Sequence, residues 1–459
     1  EPPISFEPRL GTTTGTLFLN MDASGSNGVT LLANTGNTFS ANRITVNRGV
    51  LAITGDGSLG AATNRLYLDT TSLNGGLRFD ANNINITHPV QFNDYGRIEV
   101  NGKTGAEIST AISGAAGNRA TPYPISGGTL KFSGANTFYH YLDVASGGTL
   151  LVTNPAALGT AVGSADRTRV SAGGSLVLQN LTYANAETLE LSGTGVSGSG
   201  ALAATGTSVF NGPISLLANA SVKVDTGAAF TLGGALSGAF ELAKTGAGTL
   251  TLSGPSLHPG NTRVSEGSVL LSGAMVPAGG FIVSPGATLN LAGLSTILAL
   301  NTDATLTAGR SGTPATDVTG SFSTNLGAVR VLEGGGIGTL SMTGDLTVNG
   351  GALHLDLTNN PGGTNDLISI GGTLDLSAPT NINPTPVDGS LGSGSYVLAQ
   401  AASITGSVSN LSLAGLPPSG TSRQTFSLST TTVPNALTLD VAGVSAALVW
   451  TGATNSNWS

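Results

Sequence analysis

Residues 249–273 read TLTLSGPSLHPGNTRVSEGSVLLSG, residues 129–154 read TLKFSGANTFYHYLDVASGGTLLVTN, and residues 30–55 read TLLANTGNTFSANRITVNRGVLAITG. A leucine (Leu250, Leu130, Leu31) is followed 14, 14 or 15 residues later by a valine (Val264, Val144, Val46). Another aliphatic residue (Leu270, Leu150, Leu51) stands 20 residues beyond the leucine. Each such unit holds two or three short strands and has too little surface to bury its own apolar face, so it requires a neighbour stacked on it.

Outward from these repeats, short alternating runs succeed one another: TLFLN, ITVNRGVLAIT, RLYLD, GLRFD, NINITHPVQFN, RIEVNG. Side chains two apart share a face of a strand, which points Leu66 with Leu68, and Leu77 with Phe79, into one core. The 20-residue spacing matches one full coil of three short strands. Asn-Gly and Asp-Gly hairpin turns are too sparse to punctuate every strand pair, as a meander would require. Asn, Ser and Thr fill the polar positions and stack well on copies of themselves in adjacent coils. The expected fold is therefore all-β, a parallel β-helix, with a β-rich C-terminal capping module.

Composition agrees with this reading. Charged residues make up 9% of the 459-residue chain, against roughly 25% in typical globular domains. Surface helices need charged faces, so few helices are expected. The 68 glycines and the Ser/Thr/Asn background are turn and strand residues. A net charge of −8, carried by scattered single acids, argues against nucleic acid as a partner. No apolar stretch is long enough for a transmembrane helix, and the lack of cysteine suits export through an oxidising compartment without disulfides. A start at Glu1 without methionine suits a processed product.

Along the chain, residues 1–14 carry Pro2, Pro3 and Pro8 and read as an extended arm. The β-helix is expected over 15–380, with protruding, loop-rich insertions near 154–237, where SGTGVSGSGALAATG lies. Pro384 and Pro386, followed by glycines, mark a change to a capping or junction region over 381–459.

At several of these tracts the chain resembles bacterial proteins built from the autotransporter-associated beta strand repeat. The tracts are GAGTLTLSG at 246–254, SGGTLKFSGANTF at 126–138 and TNDLISIGGTLDL at 364–376. The ending Val449-Trp450-Thr451-Gly452, with Asn457-Trp458, is similar to the tryptophan motif that closes or opens such arrays. The resemblance implies an exported right-handed β-helix, secreted or displayed on a Gram-negative-type cell. It departs from autotransporters in showing no C-terminal barrel pattern. The expectation is that the native polypeptide continues past Ser459, or that something else anchors it.

Candidate chemistry is thin. G-x-G-x-x-G occurs at 193–198 and 55–60, but neither tract opens an amphipathic helix. His88, His140, His258 and His354 are at least 50 residues apart, so stacking separates them by two or more coils and no histidine metal site is expected. Asp345, Asp356, Asp366 and Asp375 could line a calcium or glycosidase face. Their ordinary reading is that Asp345 and Asp366 introduce strands while Asp356 and Asp375 face solvent. Arg167 with Arg169, and Glu187 with Glu190, are the close charged pairs that a polysaccharide lyase or hydrolase would use, and are ordinarily solvated surface charges. Alternation assigns Phe138 to the core and Tyr139 and Tyr141 to the surface as contacts for glycan or protein.

The expected function is that of an extracellular structural or adhesive protein whose rods self-associate end to end. No catalytic, cofactor or metal site is expected, and the partners are copies of itself, with extracellular glycan or cell-surface components second. The ends of a parallel β-helix are open strand edges. Pro2, Pro3, Ile4 and Phe6 at one end, and Trp450 and Trp458 at the other, are the candidate self-association residues. The alternatives are a β-helix enzyme acting on extracellular polysaccharide and a glycan-binding adhesin that does not polymerise.

Overall fold

The computed structural model describes residues 4–5, 14–20, 28–93, 95–114, 122–139, 141–160, 166–184, 186–255, 258–273, 279–294, 298–300, 304–311, 315–332, 336–417 and 423–443. The protein is a parallel β-solenoid, and among the described residues its only helices are three short 3-10 turns, Asp56–Leu59, Val196–Gly198 and Val408–Asn410. It divides into two compact units. The first comprises residues 1–279 with 292–296, the second residues 280–291 with 297–459.

In the first unit each coil passes along three sides in a fixed order. The first side stacks Val29–Leu32, residues 50–53, residues 76–79, Arg97–Glu99, Tyr123–Ser126, Leu142–Val144, Arg167–Val170 and Thr188–Gly193, each parallel to the next. The second side includes Ala106–Ile108, Gly128–Phe132, Gly148–Val152, Ser175–Gln179, Leu202–Thr205, residues 220–224, Leu242–Thr245 and Thr262–Val264. The third side ends in Thr182–Tyr183, Thr207–Phe210, Ala229–Leu232, Thr249–Leu252 and Ser268–Gly273. Alternation puts every second side chain inside: Leu66, Leu68, Leu77 and Phe79 are all 0% exposed. Their burial supplies the hydrophobic drive that no single coil could supply for itself.

The three sequence repeats all lie in this unit, and they do not start on the same side. The first opens with Val29–Leu32 on the first side, the second with Gly128–Phe132 on the second, and the third with Thr249–Leu252 on the third. In each, the final strand stacks directly on the opening one: Thr30↔Leu51, Leu130↔Leu150, Leu250↔Val269. Two anchors are corrected by one residue. Leu31 and Leu270 point outward, while Thr30, Leu32, Val269 and Leu271 are buried. A turn longer or shorter by one residue flips a strand's faces; the unequal spacing from Leu31 to Val46 was the trace of this in the first repeat, and the spacing in the third carried none.

The loop-rich insertion expected over 154–237 is also corrected, because regular strands run through it from Arg167–Val170 to Leu236–Ser237. Within SGTGVSGSGALAATG, Ala201, Leu202 and Ala204 are buried in the coil. At the N-terminal end, Ile4–Ser5 forms a strand paired parallel to Val29–Leu32, with Ile4 opposite Thr30.

The second unit repeats the plan. One side stacks Thr305–Ala308, Ala328–Val331, Ala352–Leu357, Thr380–Pro386 and Leu411–Leu413. The next stacks Val318–Thr319, Thr339–Met342, Leu367–Ile370 and Gly394–Gln400, and the third Leu298–Ala299, Phe322–Ser323, Leu346–Thr347, Thr373–Leu376 and Ser403–Gly406. Parallel winding thus continues past residue 381 to Leu413. A hairpin then reverses the chain: Ala436–Ala442 pairs antiparallel with Gly394–Gln400, and Thr425–Ser429 pairs antiparallel with Ala436–Ala442.

Candidate functional site

The charged pairs singled out in the sequence meet on the first side of the first unit. In Arg167–Val170, Thr168 and Val170 are buried, which leaves Arg167 and Arg169 on the outer face. In the next coil Leu189 and Leu191 are buried and Glu190 faces out, opposite Arg169. The Glu190 carboxylate bridges both arginines, 3.0 Å from Arg167 Nε and 2.8 Å from Arg169 Nη2. Toward the preceding coil, both guanidinium groups lie over the Tyr141 ring, at 4.2 Å for Arg167 and 5.0 Å for Arg169. Asp143 lies opposite Arg169 and accepts a hydrogen bond from Ser171 Oγ at 2.6 Å.

Tyr141 is only 3% exposed, so the expectation of an exposed contact aromatic is corrected there. Residues 133–139 form no strand, and the alternation carried through Phe138 to Tyr141 does not hold. Tyr139 is half-buried and Phe138 is fully buried. Two cations, two carboxylates and the ring they cover form a self-neutralised array. An anionic sugar would have to displace Glu190 to reach either arginine.

Behind this face lies a second pair. Asp166 and Glu187, one residue ahead of Arg167 and Thr188, occupy adjacent coils and are 4% and 2% exposed. Burial pushes the Glu187 carboxyl up to about 8; the hydroxyl of Thr168, which donates to Glu187 Oε1 at 2.8 Å, works against this, and the nearby Asp166 charge adds to it. Glu187 is therefore protonated at neutral pH, an acid by chemistry but enclosed in the coil. The expectation of a solvated Glu187 is corrected.

In the second unit, Asp345 and Asp366 do introduce strands, at Leu346–Thr347 and Leu367–Ile370. Asp345 accepts from the Thr373 amide at 2.7 Å, and Asp375, half-buried on the outer face, accepts from Ser377 and Thr405. Asp356 does not face solvent, being 7% exposed, because the alternation of Ala352–Leu357 breaks after Leu355. Asp366, 1% exposed, ties three segments: its oxygens accept from the amides of Gly338 at 2.8 Å and Asp356 at 2.7 Å. Burial still pushes its carboxyl up to about 7 against those two bonds.

Lys244, which no motif singled out, is 0% exposed and occupies an inward position of the second side between Val222 and Val264. Its Nζ donates to the carbonyls of Thr245 at 3.1 Å, Gly246 at 2.5 Å and Glu266 at 3.0 Å. Burial lowers its ammonium to about 8, opposed by the Glu266 charge. The signal was present in Leu242-Ala243-Lys244, where parity with Leu242 already points Lys244 inward.

His88, His258 and His354 lie in different coils, and His140 lies outside the described residues. Among the described residues no group of three or more His, Cys, Asp or Glu side chains is placed to hold a metal ion, and no helix is long and apolar enough to cross a membrane. Of the candidate self-association residues, Ile4 is in the paired strand noted above; Pro2, Pro3, Phe6, Trp450 and Trp458 lie outside the described residues. No protein-family model matches the chain, and no curated protein matches it.

Proposed function

We propose that this chain is a secreted or surface-displayed structural or adhesive protein, of the autotransporter-associated repeat kind, whose solenoids join end to end. The observation that carries the reading is the way the winding stops. The antiparallel hairpin covers one side of the second unit, after Gly394–Gln400. On the other two sides the last strands, Ser403–Gly406 and Leu411–Leu413, pair with the coil before them and with no further strand among the described residues. Such strands present rows of amides and carbonyls that accept another parallel strand. Joining unlike ends is a heterologous contact, which propagates rather than closes. The terminal segments with Pro2, Pro3, Ile4 and Phe6, and with Trp450 and Trp458, are the sequence-based candidates for such a joint, large aromatics being strong interface anchors.

The test is particle length against concentration, by light scattering and negative-stain imaging of the purified chain. The reading expects lengths that grow with concentration, and growth suppressed when Ser403→Lys and Thr405→Lys place charges on an open edge strand. Discrete particles of one length at every concentration would overturn it.

A further inference from the structure

The corner between the second and third sides near the start of the first unit holds His88, 2% exposed, between two acceptors. Its Nδ1 lies 2.7 Å from Asp56 Oδ1, and its Nε2 lies 3.1 Å from the carbonyl oxygen of Ala61. A backbone carbonyl has no proton to give. Asp56 has none either, because its carboxylate already accepts from the Thr87 amide at 3.0 Å and the Thr87 hydroxyl at 2.5 Å. A neutral imidazole has one N–H and one lone pair, so one of the two contacts would set a lone pair against an oxygen. Both contacts are bonds only when both ring nitrogens carry hydrogen.

We propose that His88 is held as an imidazolium and that its second proton is the latch pin of the corner spanning Asp56 to Asn64, so that deprotonation releases this corner locally. The latch ties this corner to the strand turn of the next coil. Asp56 opens the short turn Asp56–Leu59, and Ala61 leads into Asn64, whose side chain bonds to the carbonyls of Phe39 and Leu59 and to the amide of Ala41. The turn fits tightly against the preceding coil: a Cβ on Gly57 would lie 2.1 Å from the Thr35 carbonyl oxygen.

The charge balance around the ring favours the pinned state. Burial works against the imidazolium, but the Asp56 hydrogen bond and charge, with the Gly60 and Ala61 backbone, outweigh it and raise His88 above its ordinary value. For Asp56, burial is outweighed by His88 and Thr87, so its carboxyl is lowered. Asp56 is the charged group acting on the ring from the turn. The strand Val90–Phe92 and its partner Ile112–Gly114 bring only uncharged side chains, as do Asn37 and Phe39. The sign follows: His88 stabilises fully below 6.5, and the contribution is lost as pH rises through its raised value.

The deciding experiment is nitrogen–proton correlation of the histidine rings in the full chain from pH 5 to 9, with His88→Gln as the assignment control and Asp56→Asn as the second variant. The proposal expects two protonated ring nitrogens on His88 at pH 6 and a midpoint above 6.5, falling in Asp56→Asn. It also expects the Ala61 and Asn64 amides to exchange at least about tenfold faster above that midpoint, relative to the Leu242 amide. A single protonated nitrogen at pH 6, a midpoint at or below the ordinary value, or unchanged relative exchange would each overturn it.

Discussion

Residues 129–154 and residues 249–273 carry nearly the same pattern, and the solenoid uses them differently. In the earlier repeat Leu130 stacks on Leu150 in a second-side column that continues through Leu176 and Leu202, all of them 0% exposed. In the later repeat the opening strand has moved to the third side, Val269 rather than Leu270 faces in, and the second-side column reads Val222, Lys244, Val264. What the pattern conserves is the length of a circuit to within about one residue, Leu130 pairing with Leu150 and Leu250 with Val269. Which side a strand occupies, and which residue faces in, are set by turns that gain or lose single residues.

Four measurements would break or sharpen that contrast. The largest effect is expected for Leu150→Ala, which opens a cavity in the leucine stretch of the second-side column and should cost about 2–5 kcal/mol in chemical denaturation; a loss below about 1 kcal/mol would mean the column is not close-packed. Lys244→Met comes next, at about 1 kcal/mol, because it leaves three carbonyls without their donor while removing a buried ammonium. The same variant should flatten one part of the pH profile. Between pH 8 and 10.5 the folded lysine has shed a proton that the unfolded chain still holds, so wild-type stability should rise with pH across that window and the variant's should not.

Glu187→Gln, in the coil that carries Leu202 of the same column, should have little effect at pH 5, where the native carboxyl is already neutral. Between 4.5 and about 8 the folded state keeps a proton that the unfolded chain has released, so wild-type stability should decline as pH rises through that range. The variant removes that decline, and melting curves at pH 5, 6.5 and 8 for both proteins check it. The smallest change is expected for Leu270→Ala, within about 0.5 kcal/mol, since the side chain lies on the outer face. If Leu270→Ala rivalled Leu150→Ala, the one-residue shift between the repeats would be wrong.

Much of the fold was legible. Alternation in RLYLD and GLRFD places Leu66, Leu68, Leu77 and Phe79 inside, and sparse hairpin turns point to parallel winding. Other features were not, for physical reasons. Glycine, serine and alanine read as loop, yet Ala201 and Ala204 are buried in a coil interior. Parity cannot be carried across a segment that is not a strand, which is why Tyr141 was misplaced. Partners from neighbouring coils, such as Thr168 for Glu187 or Gly338 for Asp366, come from residues 19 and 28 positions away. Only the exact stacking register, which sequence spacing fixes to within a residue, could have brought them together.

The shift of the repeats around the three sides bears on how such a chain lengthens. A stretch duplicated from the opening of one repeat to the opening of the next would re-enter the winding one side further round, where its inward residues meet inward residues only if the flanking turn corrects the one-residue difference between Leu31 and Leu130. A breakpoint for gene duplication is therefore set by the parity of the turn rather than by the side on which it falls.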